Sequence, residues 1–477
     1  MNMRKSLSEI RKRLFSLLTS LKHKRFSFCF LSLHVTYIIE IEIIYMDKIV
    51  ELSVENFKAV KKADITLNGI TVMSGINGCG KSSLSQLLYY SFYYANRYEE
   101  MVDYHLNQHL YGYREALKQI EREIKDVVLD TDEVYDIYRA SVNDRDIYLN
   151  YIRLLFSRFL SYREIVDEVE SEDARNSLER VVRIIKDTLN DKSQEDLEKL
   201  LDRFYILIEQ LFNAAVVGLE QRNYELLEDY LSFYMKRALP EKWTIREYGL
   251  PFAGDDTSGV PLLHYIKRVA YVDTPMIVGN LLMGGRERDY WKNLTDLLSD
   301  DSHIEGNVLL YKSLSQILNG ESVIEEDGIR KSKLSYRRSD GKIFDLKDCA
   351  TGIKSFSILQ LLLKNGFLQK DTLLIIDEPE AHLHPQWIVE YARMIVLLHK
   401  EIGVKFFIAS HSTDMISAIR YIAAKEEVQD SLNFYLAENS EETPYEYTYR
   451  ALGLDIDPIF KSFNKSLDKI DEYGACE

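Results

Sequence analysis

The sequence predicts an α/β fold in which one mixed sheet is split by an all-helical insertion. Short apolar runs rich in Ile, Val and Phe occur near the start of the chain and again after residue 260, whereas residues 91–239 contain no proline and almost no glycine. A glycine-rich loop lies between a strand pattern and a helix pattern at residues 75–82. Because β-branched runs favour strands and breaker-free stretches favour helices, we expect two halves of one α/β domain around a helical insertion. The segments are residues 1–45 (an N-terminal extension), 46–95 (first half), 96–250 (insertion) and 251–477 (second half).

The strand candidates are short and apolar. They are residues 48–52, 63–67, 70–73, 268–272, 333–336, 342–346, 372–376, 405–408 and 432–436. Continuous apolar runs such as residues 373–376 are typical of a parallel sheet covered on both faces. The sequence Ser-Asp-Gly-Lys at residues 339–342 predicts a hairpin turn between two of the strands.

The insertion shows the periodicity of amphipathic helices, most clearly at residues 197–211. Polar clusters divide it into about five helices, and residues 193–196 are typical of a capping box that opens the last one. Since no heptad pattern persists, we do not expect long coiled-coil arms. Residues 91–240 hold 20 basic and 31 acidic residues, which suits either a solvated face or a surface for a specific partner.

The whole chain is acidic, with 60 Lys and Arg against 76 Asp and Glu and a formal net charge of −16. This charge argues against coating DNA by bulk electrostatics, although a local basic groove remains compatible with it. The four cysteines, Cys29, Cys79, Cys349 and Cys476, show no ligand spacing. Their scatter excludes a disulfide framework or a Cys-based zinc site and fits a reducing cytoplasm.

Residues 1–45 differ from the rest, because a basic stretch leads into an apolar one that His34, Glu40 and Glu42 interrupt. A signal or anchor needs an uninterrupted apolar core and a small-residue cleavage site, and neither is clean here. A basic membrane-surface helix is a second interpretation. We adopt a third, in which Met46 is the natural start and residues 1–45 are non-native or disordered. No other stretch approaches the roughly 18 apolar residues of a membrane span, so we expect no membrane partner.

The pattern GxxxxGKS at residues 75–82 predicts a phosphate-binding loop. In this pattern, backbone N–H groups and the N-terminus of the following helix wrap phosphate groups. Lys81 is expected to reach the β- and γ-phosphates of a nucleotide, and the Ser82 hydroxyl to bind Mg²⁺. The predicted nucleotide-binding residues of the loop are Gly75, Asn77, Gly78, Cys79, Gly80, Lys81, Ser82 and Ser83.

Charged residues follow two of the apolar runs. Asp377 is expected to hold Mg²⁺ through water, and Glu378 to accept a proton from an attacking water. An Asp-Glu pair alone would suit a solvated turn, but beside a phosphate loop it predicts nucleotide hydrolysis. His411 is either a structural histidine or a contact to the γ-phosphate; we predict the contact and count His411 with Glu378 as catalytic.

The order of these motifs resembles that of ABC-class ATPases: a phosphate loop, then Asp-Glu-Pro, then a strand ending in Ser-His. The longer string DEPEAHLHP at residues 377–385 is similar to a bacterial branch that includes the overcoming-lysogenisation-defect (OLD) ATPases and the ATPase subunits of Septu- and PARIS-type phage defence. The sequence VENFK at residues 54–58 resembles the opening strand of SMC and DNA-repair ATPases. The resemblance covers residues 46–95 and 260–477 and leaves the insertion unmatched.

This resemblance implies an ABC-type ATPase head that uses ATP and Mg²⁺ and pairs head to head, as a dimer or higher oligomer. Each nucleotide would be completed by a signature loop of the partner. The best match is ATGIKS at residues 350–355, where Thr351 and Gly352 would offer a hydroxyl and a helix N-terminus to the partner's γ-phosphate. Lys354 would add a charge there. By itself, this sequence indicates only a capped helix start.

Four residues are left with two interpretations each. Asp273 either lies near the metal or belongs to a segment in which Thr274 and Pro275 simply end a strand, and Lys58 either contacts phosphate or is a surface residue. His382 and His384 have a spacing that suits a metal, but the resemblance makes them part of the loop that crosses to the partner head. No glutamine can be assigned to the Q-loop.

The function that the resemblance implies is a nucleotide-driven switch that controls a separate nuclease or toxin in anti-phage defence. A separate effector is expected because the sequence shows no TOPRIM or HNH metal pattern. One alternative is an SMC-like or DNA-repair-like ATPase, which would need a basic path and long arms. Another is an ATP-binding scaffold with little turnover, which the degenerate signature permits. A transporter subunit is disfavoured because the insertion replaces the usual membrane-coupling region.

Overall fold

The computed structural model describes residues 49–128, 140–169, 172–190, 196–278, 289–300, 308–327, 331–439, 443–462 and 472–473. Contacts divide the chain into two compact units, Met1–Ile49 and Val50–Glu477, and every element below belongs to the second. The expected extension, residues 1–45, lies outside the described residues, so its non-native or disordered character stays a prediction.

Two sheets are formed by the described strands. The strands are β1 Val50–Phe57, β2 Val60–Thr66, β3 Ile70–Ser74, β4 Lys242–Glu247, β5 Leu250–Gly254, β6 Arg268–Val272, β7 Gly320–Asp327, β8 Lys331–Arg338, β9 Ile343–Asp345, β10 Thr372–Asp377, β11 Lys405–Ser410, β12 Leu432–Asn439 and β13 Tyr447–Gly453. The larger sheet has the order β5-β4-β1-β2-β13-β12-β3-β11-β10-β6. Its strands β12, β3, β11, β10 and β6 run parallel, whereas β1 pairs antiparallel with β2 and β4. The predicted α/β fold with a mixed sheet is confirmed.

The smaller sheet contains the predicted hairpin. Strands β7, β8 and β9 pair antiparallel in that order. The turn between β8 and β9 places Gly341 at φ 84°, and the Arg338 N–H donates to the Lys342 carbonyl at 2.9 Å. Glycine suits this position because a positive φ strains other residues.

The helices surround the larger sheet and build the insertion. They are α1 Lys81–Asn96, α2 Tyr98–His109, α3 Tyr111–Val128, α4 Arg145–Val169, α5 Glu172–Thr188, α6 Leu197–Gln221, α7 Tyr224–Tyr234, α8 Asp289–Ser299, α9 Val308–Leu318, α10 Thr351–Lys364, α11 Pro385–Ile402 and α12 Thr413–Lys425. Within the described ranges, none of them is long and apolar enough to cross a bilayer.

The insertion is helical from α2 to α7, as predicted, but it differs in detail. The described residues form six helices there instead of about five, because the boundaries at Arg97 and Leu110 carry neither proline nor glycine. Helix α6 is capped by Asp196, whose carboxylate accepts from the Leu197 N–H at 2.9 Å. The predicted capping role of Ser193 falls on a residue outside the described ranges. Strand β4 begins at Lys242, so the chain rejoins the sheet before residue 250.

The parallel part of the sheet fixes the position of the functional residues. Every residue of β10 and β11 is buried, as the continuous apolar pattern predicts. The strands β3, β11 and β10 are neighbours and parallel. Their carboxyl ends therefore meet at one edge of the sheet, which is where parallel α/β proteins bind ligands.

Candidate functional site

The loop of residues 75–80 leads from β3 into α1 and surrounds the ammonium group of Lys81. This group donates to the carbonyl oxygens of Gly75 at 2.7 Å and Ile76 at 3.1 Å. Lys81 is only 6% exposed. A buried cation beside a helix N-terminus suits a bound anion, because both contribute positive potential where water is scarce. These residues therefore fit a nucleotide phosphate.

Two glycines give the loop its shape. Gly78 and Gly80 have φ of 84° and 96°, and a Cβ added to Gly80 would come within 2.5 Å of the Val60 side chain. The Cys79 side chain is fully buried, with its sulfur 3.4 Å from the Tyr449 hydroxyl. The Cys79 thiol therefore packs inside the domain instead of facing a ligand.

The Asp377 carboxylate lies at the end of β10 and is held by hydroxyl groups from two elements. The Ser85 hydroxyl on α1 donates to Oδ1 at 2.6 Å, and the Tyr271 phenol on β6 donates to Oδ2 at 2.6 Å. The Ser82 hydroxyl, as a hydrogen-bond donor, also lowers the pKa of this carboxylate. The predicted metal residues Ser82 and Asp377 therefore lie close together.

Burial raises the pKa of Asp377, and the nearby charge of Asp273 acts in the same direction. The hydrogen bonds from Ser85, Tyr271 and Ser82 oppose this shift by stabilising the ionised form. Carboxylate and hydroxyl oxygens are also the ligand types that Mg²⁺ prefers. The donor set fits a magnesium ion, whose charge would compensate the buried carboxylate.

Glu378, Glu380 and His411 form a second group at the same edge. His411 Nδ1 lies 3.6 Å from Glu378 Oε1 and 3.2 Å from Glu380 Oε1. The Glu378 side chain is 44% exposed, whereas that of Glu380 is 6% exposed. Glu378 also has φ 47°, with its N–H donating to the Ala409 carbonyl at 2.7 Å. Glu378 and His411, the predicted catalytic pair, thus lie next to each other, and the Glu378 carboxylate is accessible to water.

Glu380 ties this group to the end of β11. Its Oε1 accepts from the Ser410 hydroxyl and from the His411 N–H, both at 2.9 Å. Its Oε2 is buried and has no hydrogen-bond partner within the part of the chain that is described. A buried acceptor with spare capacity marks a position where a donor or cation would be stabilised.

Asp273 follows β6 and lies near the metal residues. Its carboxylate accepts from the Tyr290 hydroxyl at 3.0 Å and the Trp291 indole at 2.8 Å. The two predicted interpretations do not exclude each other, because Asp273 comes directly after the last residue of β6 and its charge acts on the pKa of Asp377.

The remaining candidates lie in loops and caps. Lys58 is exposed in the turn between β1 and β2 and has φ 55°. His384 caps α11, with its ring accepting from the Gln386 N–H, and His382 has φ 61° in the preceding turn. The roles predicted for these residues stay predictions.

The signature candidate opens α10, after Ala350 as N-cap. The Thr351 hydroxyl contacts the Met276 sulfur at 3.8 Å, and Gly352 packs so closely on Trp387 that an added Cβ would lie 2.6 Å from the ring. Lys354 is only 4% exposed, so its side chain packs inside the domain instead of projecting from the helix end. The role of Thr351 and Gly352 toward a partner's nucleotide stays a prediction.

Comparison with known proteins identifies the family. Residues 70–417 match the AAA_21 family, described as "AAA domain, putative AbiEii toxin, Type IV TA system". The chain belongs to the AAA_21 family. The matched region runs from the start of β3 into α12 and so contains the phosphate loop, the Asp377–Glu378 pair and His411.

Curated relatives of this AAA_21 chain align over a shorter region. The energy-coupling factor transporter ATP-binding protein EcfA3 of Clostridium perfringens is 34% identical over 94 residues, which is 20% of this chain and 33% of that protein. EcfA2 of the same species is 33% identical over 94 residues, which is again 20% of this chain and 33% of that protein. The chain thus aligns with about a third of the length of these relatives. The family match and the site support an ATPase of the ABC class of P-loop proteins.

Solved structures with similarity to the AAA_21 chain include two SMC head domains. The Pyrococcus furiosus head domain has a TM-score of 0.32 at 12% identity, covering 89% of this chain and 99% of the other. The Thermotoga maritima head domain has a TM-score of 0.32 at 11% identity, covering 85% and 99%. With scores this low, the superpositions add nothing to the fold described above.

Sequence reasoning missed three residues of the AAA_21 site. Ser85 lies one helical turn after Lys81, and Tyr271 lies at the end of a correctly predicted strand, but neither belongs to a recognised motif. Glu380 belongs to the string that carries the resemblance, yet its contact with Ser410 and His411 depends on how β10 and β11 pair.

Proposed function

We propose that this chain is an ATP-hydrolysing switch that works in a dimer or higher oligomer and controls a separate nuclease or toxin in anti-phage defence. The observation that carries the ATPase part is the convergence of Lys81, Asp377 and Glu378 at one edge of the sheet. The effector part is supported by the motif resemblance and by the description of the AAA_21 family, which names a toxin–antitoxin system.

In this proposal, Lys81 binds the β- and γ-phosphates, and Ser82 and Asp377 hold the metal ion. Bound Mg²⁺ supplies positive charge that neutralises the phosphate oxygens. Glu378 takes the proton of the attacking water, because it is the exposed carboxylate of the group. His411 lies beside it, where its ring can contact the γ-phosphate and lose that contact after hydrolysis.

Helix α1 connects this chemistry to the insertion. It begins at Lys81 in the phosphate loop, and α2 begins at Tyr98, directly after Arg97. A movement of the phosphate loop would therefore be transmitted to the insertion through helix α1. We assign effector contact to the insertion because its acidic excess offers a charged surface.

The test combines purified protein with recovery of partners from the native locus. Glu378→Gln should keep ATP binding and slow hydrolysis by about 100-fold or more, trapping closed heads. Lys81→Ala should lose ATP binding. Glu390→Gln is the matched control, since Glu390 is a half-exposed residue of α11 that pairs only with Arg393 among described residues.

A nuclease- or toxin-like protein retained by the Glu378→Gln variant with ATP, and released from Lys81→Ala, would support the proposal. Recovery of the chain alone would contradict the effector role. Salt-sensitive recovery of DNA would favour the SMC-like alternative. Function lost in Lys81→Ala but unchanged in Glu378→Gln would favour a scaffold with little turnover.

A further inference from the structure

A cavity of about 690 Å³ lies where α1 meets the insertion, away from the phosphate loop. It is bounded by the C-terminal half of α1, by α2 and α7 of the insertion, and by α8. The volume is in the range of sites that hold small organic molecules. No role described above uses this cavity.

Aromatic side chains dominate its lining. They are Tyr93, Tyr94, Tyr104, Tyr230, Phe233 and Tyr234. Tyr94 stacks on Tyr234 at 4.9 Å and packs against Tyr230 at 5.1 Å, which fixes the orientation of the inner rings. Tyr104 and Phe233 are 59% and 74% exposed at the rim. Ordered ring faces beside exposed rim aromatics favour a planar aromatic ligand.

The charged residues of the lining favour a cation. The lining contains three acids, Glu100, Asp229 and Asp296, and two basic residues, Arg97 and Lys292. The Arg97 guanidinium is already engaged, since it lies 4.3 Å above the Tyr93 ring and 3.6 Å from the Glu100 carboxylate. This leaves two acids against one lysine, and tyrosine faces themselves attract cations.

His105 is a further polar residue of the lining. Burial and the neighbouring His109 lower the pKa of His105, while Asp229 opposes the shift. The lowered pKa favours the uncharged form of His105.

A continuous series of tyrosine contacts leads from the cavity to the metal residue. Tyr94 stacks on Tyr90 at 6.3 Å, and Tyr90 contacts Tyr290 at 6.3 Å. Tyr290 contacts Tyr271 at 4.7 Å, and the Tyr271 phenol donates to Asp377. Side chains packed in an unbroken series provide a physical connection through which two sites can be coupled.

We propose that this cavity binds a small planar aromatic cation and that its occupancy is coupled to the nucleotide site through these tyrosines. The coupling half rests on the proposed ATPase function, whereas the binding half does not. Ligand binding at the base of the insertion would give the switch an input that is separate from ATP.

The binding test uses three indoles that share a ring and differ in charge, titrated into the full chain by calorimetry. Tryptamine, the cation, should bind more tightly than neutral tryptophol, and indole-3-acetate should bind most weakly. Asp229→Asn should weaken tryptamine about fivefold and leave tryptophol unchanged. Asp202→Asn on α6, outside the lining, should change neither. Equal affinities for the three indoles, no binding of tryptamine, or equal losses in both aspartate variants would overturn the binding proposal.

The coupling test measures tryptamine affinity with and without a non-hydrolysable ATP analogue and Mg²⁺. Linkage requires the nucleotide to shift this affinity if the sites are coupled. Tyr290→Leu should abolish the shift and retain tryptamine binding, whereas Tyr290→Phe, which keeps the ring, should retain both. An unchanged affinity in the wild type would overturn the coupling. Tryptamine binding without any ATP hydrolysis would contradict the proposed function and leave the binding site intact.

Discussion

The Tyr271 phenol donates a 2.6 Å hydrogen bond to Oδ2 of Asp377 across 106 residues of sequence. The contact exists because β6 and β10 are parallel neighbours, with Tyr271 opposite Ile375. The phenol therefore reaches diagonally to the carboxylate at the strand end. The Tyr271 phenol thus stabilises the negative charge of the buried Asp377 carboxylate, which we propose as a metal ligand.

Tyr271→Phe should weaken the use of Mg²⁺. The Tyr271 hydrogen bond lowers the pKa of Asp377 against the effect of burial, so its loss makes the ionised, metal-binding form less stable. A hydrogen bond to a charged group contributes about 1.5 kcal/mol, and we expect the Mg²⁺ concentration for half-maximal ATP turnover to rise about tenfold. Tyr311→Phe, which removes a phenol contact to Glu321, is the control. An identical Mg²⁺ dependence in Tyr271→Phe would refute this role.

Asp377→Asn should make the protein more stable at neutral pH while removing Mg²⁺-dependent hydrolysis. Burial raises the pKa of Asp377 above its unfolded value, so its favourable contribution to the free energy of unfolding is complete below the unfolded pKa. That contribution is lost as the pH rises through the folded pKa. Replacing the carboxylate by an amide removes the desolvation penalty of the charge. Thermal melts of both proteins at neutral and acidic pH should show a higher melting temperature for the variant only at neutral pH, and a lower one there would contradict the account.

Glu380→Ala should lower kcat more than it raises KM, because Glu380 positions Ser410 and His411 without facing solvent. The truncation also leaves two buried donors without their acceptor, which costs about 1–3 kcal/mol of the free energy of unfolding. Glu380→Gln keeps an acceptor oxygen and should restore most of that stability. Steady-state kinetics and urea unfolding of the two variants measure these effects separately. Equal stability of the two variants would show that the acceptor contacts do not matter.

Gly80→Ala should destabilise the chain more than Gly78→Ala. Both glycines have a positive φ, which strains alanine by about 1–2 kcal/mol. A Cβ at Gly80 would also come within 2.5 Å of Val60, whereas nothing lies within 4 Å of a Cβ at Gly78. Urea unfolding of both variants tests the difference, and equal losses would mean that Val60 moves aside freely.

The parts of the site that lie in local motifs could be predicted from the sequence. The phosphate loop and Asp377–Glu378 each follow an apolar strand, so spacing alone places them at strand ends. They come together because β3, β11 and β10 are parallel neighbours, and the carboxyl ends of parallel strands meet at one edge of the sheet. The Tyr271 contact could not be predicted, since a tyrosine in a strand has no motif and its partner is set by register.

The insertion illustrates a different limit. Its helical character follows from periodicity and from the absence of breakers. The number of helices does not, because the chain turns at Arg97 and Leu110 without glycine or proline. Tyr234 of α7 stacks on Tyr90 and Tyr94 of α1, and such long-range packing is likewise not visible in the sequence.

The strand order of the sheet also constrains when the domain can fold during synthesis. Strand β3, which leads into the phosphate loop, has β11 and β12 as its two neighbours, with Ile70 opposite both Phe406 and Leu432. A ribosome-bound chain that ends after the insertion can pair β1 with β2 and β4, but β3 has no partner on either edge. Because such late, long-range pairing is slow and leaves apolar strand edges exposed, we expect the nascent chain to depend on chaperones until its last strands have emerged.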